Sequence, residues 1–247
     1  MMKVLDSAIP VACWSCSVAH NESTLFCPHC TKIQPPTSGD YFSVFSLEPR
    51  LNIDLAALER EFHRLSRKLH PDRFARATES EKEWSLADTA LLNDAYRTLK
   101  EPLRRTEYLL KRSGAETVEV SAEADGKDRP GAPADRSSSA GRRRDPSRVP
   151  PDLLEEVFEL NMQLEEMRMA RAAGETDPEL EKNLAEAKKK FDGLLDEVDR
   201  DLRVQWNAWD EGGEAERKTA QNAMVALLDR RRYLNNLVRD VTETLGA

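Results

Sequence analysis

Between residues 115 and 150 the chain carries no aromatic residue and no Leu, Ile, Met or Cys. Those 36 positions hold four prolines, three glycines and five serines, among them Ser137-Ser138-Ser139, followed by the basic run Arg142-Arg143-Arg144. Such a segment cannot bury enough apolar surface to offset the entropy lost on ordering it. It reads as a disordered linker, and its arginine run as a solvated stretch rather than a binding site. One continuous hydrophobic core is thereby excluded. The chain must fold as separate units on either side.

Charge divides along the same line. Residues 1–150 hold 23 Lys+Arg against 22 Asp+Glu, and residues 151–247 hold 14 against 23, within a formal net charge of −8. The acidic C-terminal third argues against a nucleic-acid binder, which needs clustered positive charge to displace counterions. No apolar run approaches the roughly 18 residues of a membrane span. Two units with different protein partners are expected, with neither nucleic acid nor membrane among them.

All four cysteines fall in the first thirty residues, as Cys13-x-x-Cys16 and Cys27-x-x-Cys30 with ten residues between the pairs. Two such pairs supply four thiolates on two tight turns, which suits a closed tetrahedral zinc site, one structural zinc per chain. An iron–sulfur or redox role and disulfide pairing are the alternatives. A unit of residues 1–36, closed by Pro35-Pro36, has too little core to fold unaided, so metal binding would supply its folding energy. Four thiolates leave no open coordination position for catalysis, and His20 and His29 read as bystanders. No signal peptide precedes the cysteines, and an opening with no arginine before Arg50 makes a poor mitochondrial transit peptide. A reducing, bacterial-type cytoplasm is expected, with the mitochondrial matrix less favoured.

Residues 40–113 read as helices. Leu55, Leu58, Phe62, Leu65 and Leu69 step by 3, 4, 3 and 4, with Asp54 as N-cap. The same stretch is basic: residues 55–77 carry six cations against three carboxylates, including Arg64, Arg67 and Lys68. His70-Pro71-Asp72 ends the helix, because proline disfavours the α conformation in the residue before it. A second helix is expected from about Glu79 through Trp84, Leu91, Ala95 and Leu99. The tripeptide then lies in an exposed loop between two antiparallel helices, beside a basic face. A general base at His70 oriented by Asp72 would make an enzyme, but no nucleophile, phosphate cradle or pocket residue accompanies it. No catalytic residue is assigned.

Residues 151–247 regain helical periodicity. Leu153, Val157, Leu160, Leu164 and Met167 form one stripe. Leu180, Leu184, Ala187, Phe191, Leu194, Val198, Leu202 and Trp206 form a second, opened by Pro178. After Gly212-Gly213 a third contains Leu227, Leu234, Val238, Val241 and Leu245. Short glycine-containing joints make this an antiparallel three-helix bundle. The first bundle helix carries a surplus stripe, Leu154, Phe158 and Met162, rimmed by Glu155, Glu159 and Glu166. That is either a protein-binding face or a seam against the preceding helices. The fold class is all-α, organised as a cysteine unit (1–36), a helical hairpin domain (40–113), a linker (115–150) and an acidic bundle (151–247).

Asp40-Tyr41-Phe42, Lys68-Leu69-His70-Pro71-Asp72-Arg73-Phe74 and Leu92-Asn93-Asp94-Ala95-Tyr96-Arg97-Thr98-Leu99-Lys100 resemble a J-domain. With Pro102-Leu103 and Glu107-Tyr108-Leu109-Leu110 they resemble that of the HscB co-chaperone family, whose last helix Arg232-Tyr233-Leu234-Asn235-Asn236-Leu237 also resembles. Animal members similarly begin with a paired-CxxC unit. The resemblance implies a non-enzymatic partner that stimulates a DnaK/HscA-type chaperone ATPase through His70, Pro71 and Asp72. Arg64, Arg67 and Lys68 would dock an acidic patch on that ATPase. It implies further that the bundle delivers an IscU-type iron–sulfur scaffold to the chaperone. Leu154, Phe158 and Tyr233 match the family's apolar scaffold-binding positions, with Met162 and Glu159 beside them. Glu155 stands where the family usually has an apolar residue, and Met162 where it often has an acidic one. The rival expectation is a general J-protein whose bundle and cysteine unit hold unfolded clients.

Overall fold

The computed structural model describes residues 10–21, 24–36, 40–115 and 150–246. The segment expected as a linker lies outside the described residues except at its two ends. Contacts divide the chain into two compact units, Met1–Ala115 with Trp206–Arg217, and Glu116–Gln205 with Lys218–Ala247. No described helix is long and apolar enough to cross a membrane.

In the first unit, strands β1 (Pro10–Ala12) and β2 (Ala19–Asn21) form an antiparallel pair, Val11 opposite His20. Helices α1 (Tyr41–Val44), α2 (Leu55–Leu69), α3 (Glu79–Lys100) and α4 (Pro102–Arg112) follow. Three of the four boundaries of α2 and α3 have causes in the residues beside them. Asp54 accepts the Ala57 amide at 3.0 Å and starts α2. His70, held extended before Pro71, stops it. Thr78 and Glu81 close a reciprocal capping box that starts α3. Leu58, Leu65 and Leu69 of α2 are buried as the periodicity requires, but Leu55 in the exposed first turn is 46 % accessible. Phe62 stacks on Tyr96 with ring centroids 4.1 Å apart.

Helix α3 departs from the expected stripe. Glu81, Ser85, Asp88, Leu92, Ala95 and Leu99 face inward, whereas Trp84 and Leu91 are only half-buried. The inward polar residues at the start have partners that explain them. Ser85 Oγ donates to the Leu69 carbonyl at 2.7 Å, satisfying an orphan group at the end of α2, and Glu81 serves the capping box.

Residues from α1 and α4 of this unit meet in space. Tyr41 stacks on Tyr108 at 4.5 Å, and the Tyr108 hydroxyl donates to Asp40 while accepting the Tyr41 amide, each at 2.9 Å. Arg105 is buried and donates to the Leu51 and Leu99 carbonyls. Asp210, from the 206–217 segment, accepts the amides of Leu51 and Asn52, both at 2.8 Å.

The second unit is built from α5 (Leu154–Ala172) and the larger parts of α6 (Pro178–Glu211) and α7 (Glu214–Gly246). Val157, Leu160, Leu164 and Met167 of α5 are buried, as are Leu180, Leu184, Phe191, Val198 and Leu202 of α6. In α7 the buried set is Ala220, Met224, Leu228, Leu234, Leu237, Val241 and Thr244, so Leu227, Val238 and Leu245 flank the core instead of filling it. Polar ties join the helices pairwise. Lys190 meets Glu156 at 3.1 Å, Arg231 meets Asp199 at 2.6 Å, and Arg171 donates to the Leu245 carbonyl at 3.2 Å. Gly174 ends α5 at φ +74°, a left-handed position natural to glycine. At Gly212 a Cβ would lie 2.3 Å from the Ala208 carbonyl oxygen, so glycine is required to turn α6 into α7.

Candidate metal centre and binding surfaces

The two CxxC turns are built alike. The Cys13 amide donates to Val18 and the Ser17 amide to Cys13; the Cys27 amide donates to Lys32 and the Thr31 amide to Cys27, all at 2.9–3.0 Å. Ser17 and Thr31 both stand at φ 60°, an uncommon conformation for such residues, which closes each turn. All four sulfurs lie within 4.8 Å of one another, with Cys13 to Cys30 at 3.6 Å and Cys16 to Cys27 at 3.7 Å. Tetrahedral zinc with Zn–S bonds of about 2.3 Å places its sulfurs about 3.8 Å apart, so this cage has the size a single metal ion needs. No pair is bridged as a disulfide.

Burial pushes the Cys13 thiol up, but the Cys16 and Ser15 amides aimed at its sulfur outweigh that and bring it to about 6. The Val18 amide draws Cys16 down, yet desolvation and the facing sulfurs carry it to about 12. Four thiols this close do not all ionise without a cation among them. His29 is exposed, as a bystander should be. His20 is buried and not idle. Its Nε2 lies 3.0 Å from Gln34 Oε1, and Gln34 Nε2 donates toward Cys13 Sγ at 3.5 Å. The histidine thus orients a glutamine that in turn faces a ligand sulfur. In the sequence His20 reads as a bystander, and nothing in the spacing signals its contact with Gln34.

The cysteine unit packs on α2 and α3. Trp14 meets Trp84 edge to face at 5.7 Å, Lys32 pairs with Glu81 at 3.0 Å, and the Lys68 ammonium lies 5.6 Å from the centre of the Phe26 ring. No sequence pattern signalled these contacts, because each is a single pair between elements distant along the chain.

His70, Pro71 and Asp72 are all exposed, in the turn that joins α2 to α3. His70 Nδ1 accepts the Asp72 amide at 3.3 Å, and the Asp72 carboxylate is otherwise presented to solvent. Arg67 and Lys68, also exposed, share the last turn of α2, and Arg64 pairs with Glu61 one turn earlier. The tripeptide and the basic face therefore adjoin.

On α5, Leu154, Phe158 and Met162 are 54, 68 and 60 % accessible, against 5 % or less for Val157, Leu160 and Leu164. The surplus stripe is solvent-facing, with Glu155, Glu159 and Glu166 exposed beside it. Met169, 61 % accessible, extends it by two turns and went unnoticed in the sequence. Tyr233 is half-buried on α7. One turn before it, Arg230 grips Asp152 with two hydrogen bonds of 3.0 and 2.7 Å, which sets this part of α7 beside the start of α5.

Comparison with known proteins places this architecture. No family model matches the chain. It is 38 % identical to the iron–sulfur cluster co-chaperone protein HscB of Mus musculus over 116 residues, 45 % of this chain and 50 % of the mouse protein. It is 46 % identical to the co-chaperone protein HscB homolog of Shewanella halifaxensis over 77 residues, 31 % of this chain and 44 % of the bacterial protein. These matches span about half the length of the curated relatives, or slightly less. The crystal structure of human co-chaperone protein HscB superposes with a TM-score of 0.59 at 24 % identity, covering 94 % of this chain and 97 % of that one. At that identity the likeness is one of fold.

Proposed function

We propose that this HscB-type chain, a co-chaperone of iron–sulfur cluster assembly, stimulates the ATPase of a DnaK/HscA-type chaperone and delivers an IscU-type scaffold protein to it. The observation that carries the reading is the exposed His70-Pro71-Asp72 turn. Three residues with no part in the core sit at the end of a basic helix, where a partner can reach them. A charged surface of this kind chiefly sets encounter rate and orientation, so Arg64, Arg67 and Lys68 would steer the ATPase and the tripeptide would make the stimulating contact.

The scaffold would bind along Leu154, Phe158 and Met162, with Glu159 on the rim and Tyr233 at the end nearest Leu154. Apolar anchors ringed by charged residues are the usual anatomy of a binding hot spot. The four cysteines would hold one structural zinc, which completes a closed cage and takes no part in turnover. Unpaired thiols in such a cage fit a reducing compartment, the bacterial cytoplasm being our first assignment.

Single-turnover ATPase measurements on the chaperone test the reading. The unaltered chain should accelerate hydrolysis, more so with the scaffold present. His70→Gln should abolish the acceleration while leaving helicity and scaffold binding intact. Undiminished stimulation by the variant overturns the assignment of the turn. Binding of denatured chains in place of one folded scaffold would favour a general client-holding J-protein.

A further inference from the structure

A cleft of about 1020 Å³ lies between the cysteine unit and α2, with the turn after the His-Pro-Asp tripeptide at its edge. Residues 24–28 and 31–33 form one wall. Arg64, Leu65 and Lys68 of α2, with Arg73 and Phe74, form the other. Five cations line it (Lys32, Arg64, Lys68, Arg73 and Arg112) against two carboxylates, Asp40 and Glu81. That is a local excess of three positive charges in a chain whose net charge is −8. Lys32 and Arg112 are engaged by those two carboxylates, and the hydrogen bond from Lys32 holds the Glu81 carboxyl below its ordinary range. Arg64 is in turn paired with Glu61 of its own helix, which leaves Lys68 and Arg73 as the cations outside these ion pairs. Between the cations the lining is apolar, with the Phe26 and Phe74 rings on opposite walls.

We infer that this cleft is a docking site for an acidic, extended segment of the chaperone ATPase, one that carries an apolar side chain among its carboxylates. Carboxylates would pair with Lys68 and Arg73, and the apolar side chain would lie between Phe26 and Phe74. The inference rests on the co-chaperone reading above and deepens it. Charge and continuity pick the occupant: the cleft opens onto the basic helix and the tripeptide turn that the co-chaperone reading assigns to the ATPase. The cysteine unit then acts as one jaw of the chaperone-binding surface, and metal binding holds that jaw in place.

Pro28 and Thr31 test it, since both are exposed on the cysteine-unit wall of the cleft. Thr31 at φ 60° is a position a β-branched residue occupies at a cost, so an unbranched residue there is tolerated. Two double variants are compared, Pro28→Glu with Thr31→Glu and Pro28→Lys with Thr31→Lys, each first shown to retain one metal per chain. The reading is the concentration of chain that gives half-maximal ATPase stimulation. The Glu pair should raise it about five-fold and the Lys pair should lower it, with the maximal rate unchanged. The gap should close at about 0.5 M salt, where the Debye length has shrunk to a few ångströms. Equal half-maximal concentrations for the Glu and Lys pairs overturn the docking site while leaving the co-chaperone reading in place. If the unaltered chain gives no stimulation, that reading falls and this one with it. Should the Glu pair lose its metal, the Lys pair alone decides, since unchanged half-saturation in it is equally fatal.

Discussion

Asp88 is wholly buried in α3, and neither of its carboxylate oxygens has a hydrogen-bond partner. Burial pushes its pKa up from 3.8 to about 7. The sign of the consequence follows from proton counting. Between those two values the folded chain holds a proton that the unfolded chain has released, so stability falls as the pH rises from about 4 to about 7. Above that window the full penalty applies, on the order of a few kcal/mol at about 1.4 kcal/mol per pKa unit. Asp88→Asn should flatten this slope and stabilise the first unit at pH 8 by about 1–3 kcal/mol, the amide still lacking partners of its own. Urea midpoints at pH 5 and pH 8 check it, and parallel shifts in variant and parent would contradict it. Sequence reading passed over Asp88 for a physical reason. An acidic residue in a charged amphipathic helix reads as solvent-facing, and here the inward register was set by Ser85 and Glu81 serving backbone groups at helix ends.

Helix α5 shows the opposite case, an element whose two faces were both legible. Its buried stripe and its exposed stripe are each spaced for a helix, and residues of the two alternate around one cylinder. If the proposed scaffold interface is right, truncating Leu154 or Phe158 to alanine should weaken scaffold binding by roughly 1–2 kcal/mol each while hardly moving the melting temperature. Leu164→Ala, which empties a core position, should cost about 2–5 kcal/mol of stability. Tyr233→Ala should do some of both, being half-buried. Calorimetric titration beside thermal unfolding separates the outcomes. Wild-type affinity in the Leu154/Phe158 double variant would remove the stripe from the interface. The α7 stripe was read less well, because Leu227, Val238 and Leu245 border the core one position away from residues that fill it. Periodicity fixes a face, and the width of that face leaves its edges open.

At the scale of the molecule, periodicity does not reveal which elements share a compact unit. The sequence presents α6 and α7 as bundle helices, and it has no signal for the carboxylate of Asp210 near their joint capping the amides of Leu51 and Asn52. A tie between one side chain and two backbone groups some 159 residues away leaves no repeat to detect. The four cysteines of the cage were legible, since residue type and spacing are themselves the signal, but the His20–Gln34 contact behind Cys13 was not. Nor was the cage's seat on α2 and α3, and that seat alters what metal loss does. Cys27→Ser, or exhaustive chelation under reducing conditions, should unfold the cysteine unit and also lower the thermal stability of the α2–α3 hairpin, while the α5–α7 unit keeps its helicity. Elemental analysis should find about one zinc per chain in the parent. Iron in its place, or a hairpin melting unchanged in the variant, would refute the assignment or the coupling respectively.

The seat has an optical side. Trp14 belongs to the cysteine unit and Trp84 to α3, with their rings 5.7 Å apart at an interplanar angle of 68°. Indoles that close and so inclined couple their electronic transitions and give a paired circular dichroism band that neither ring gives alone. The band depends on the two rings staying together, so it vanishes when the cysteine unit lifts away even if every helix remains. Without any added label, the molecule carries its own spectroscopic gauge of whether that unit is seated.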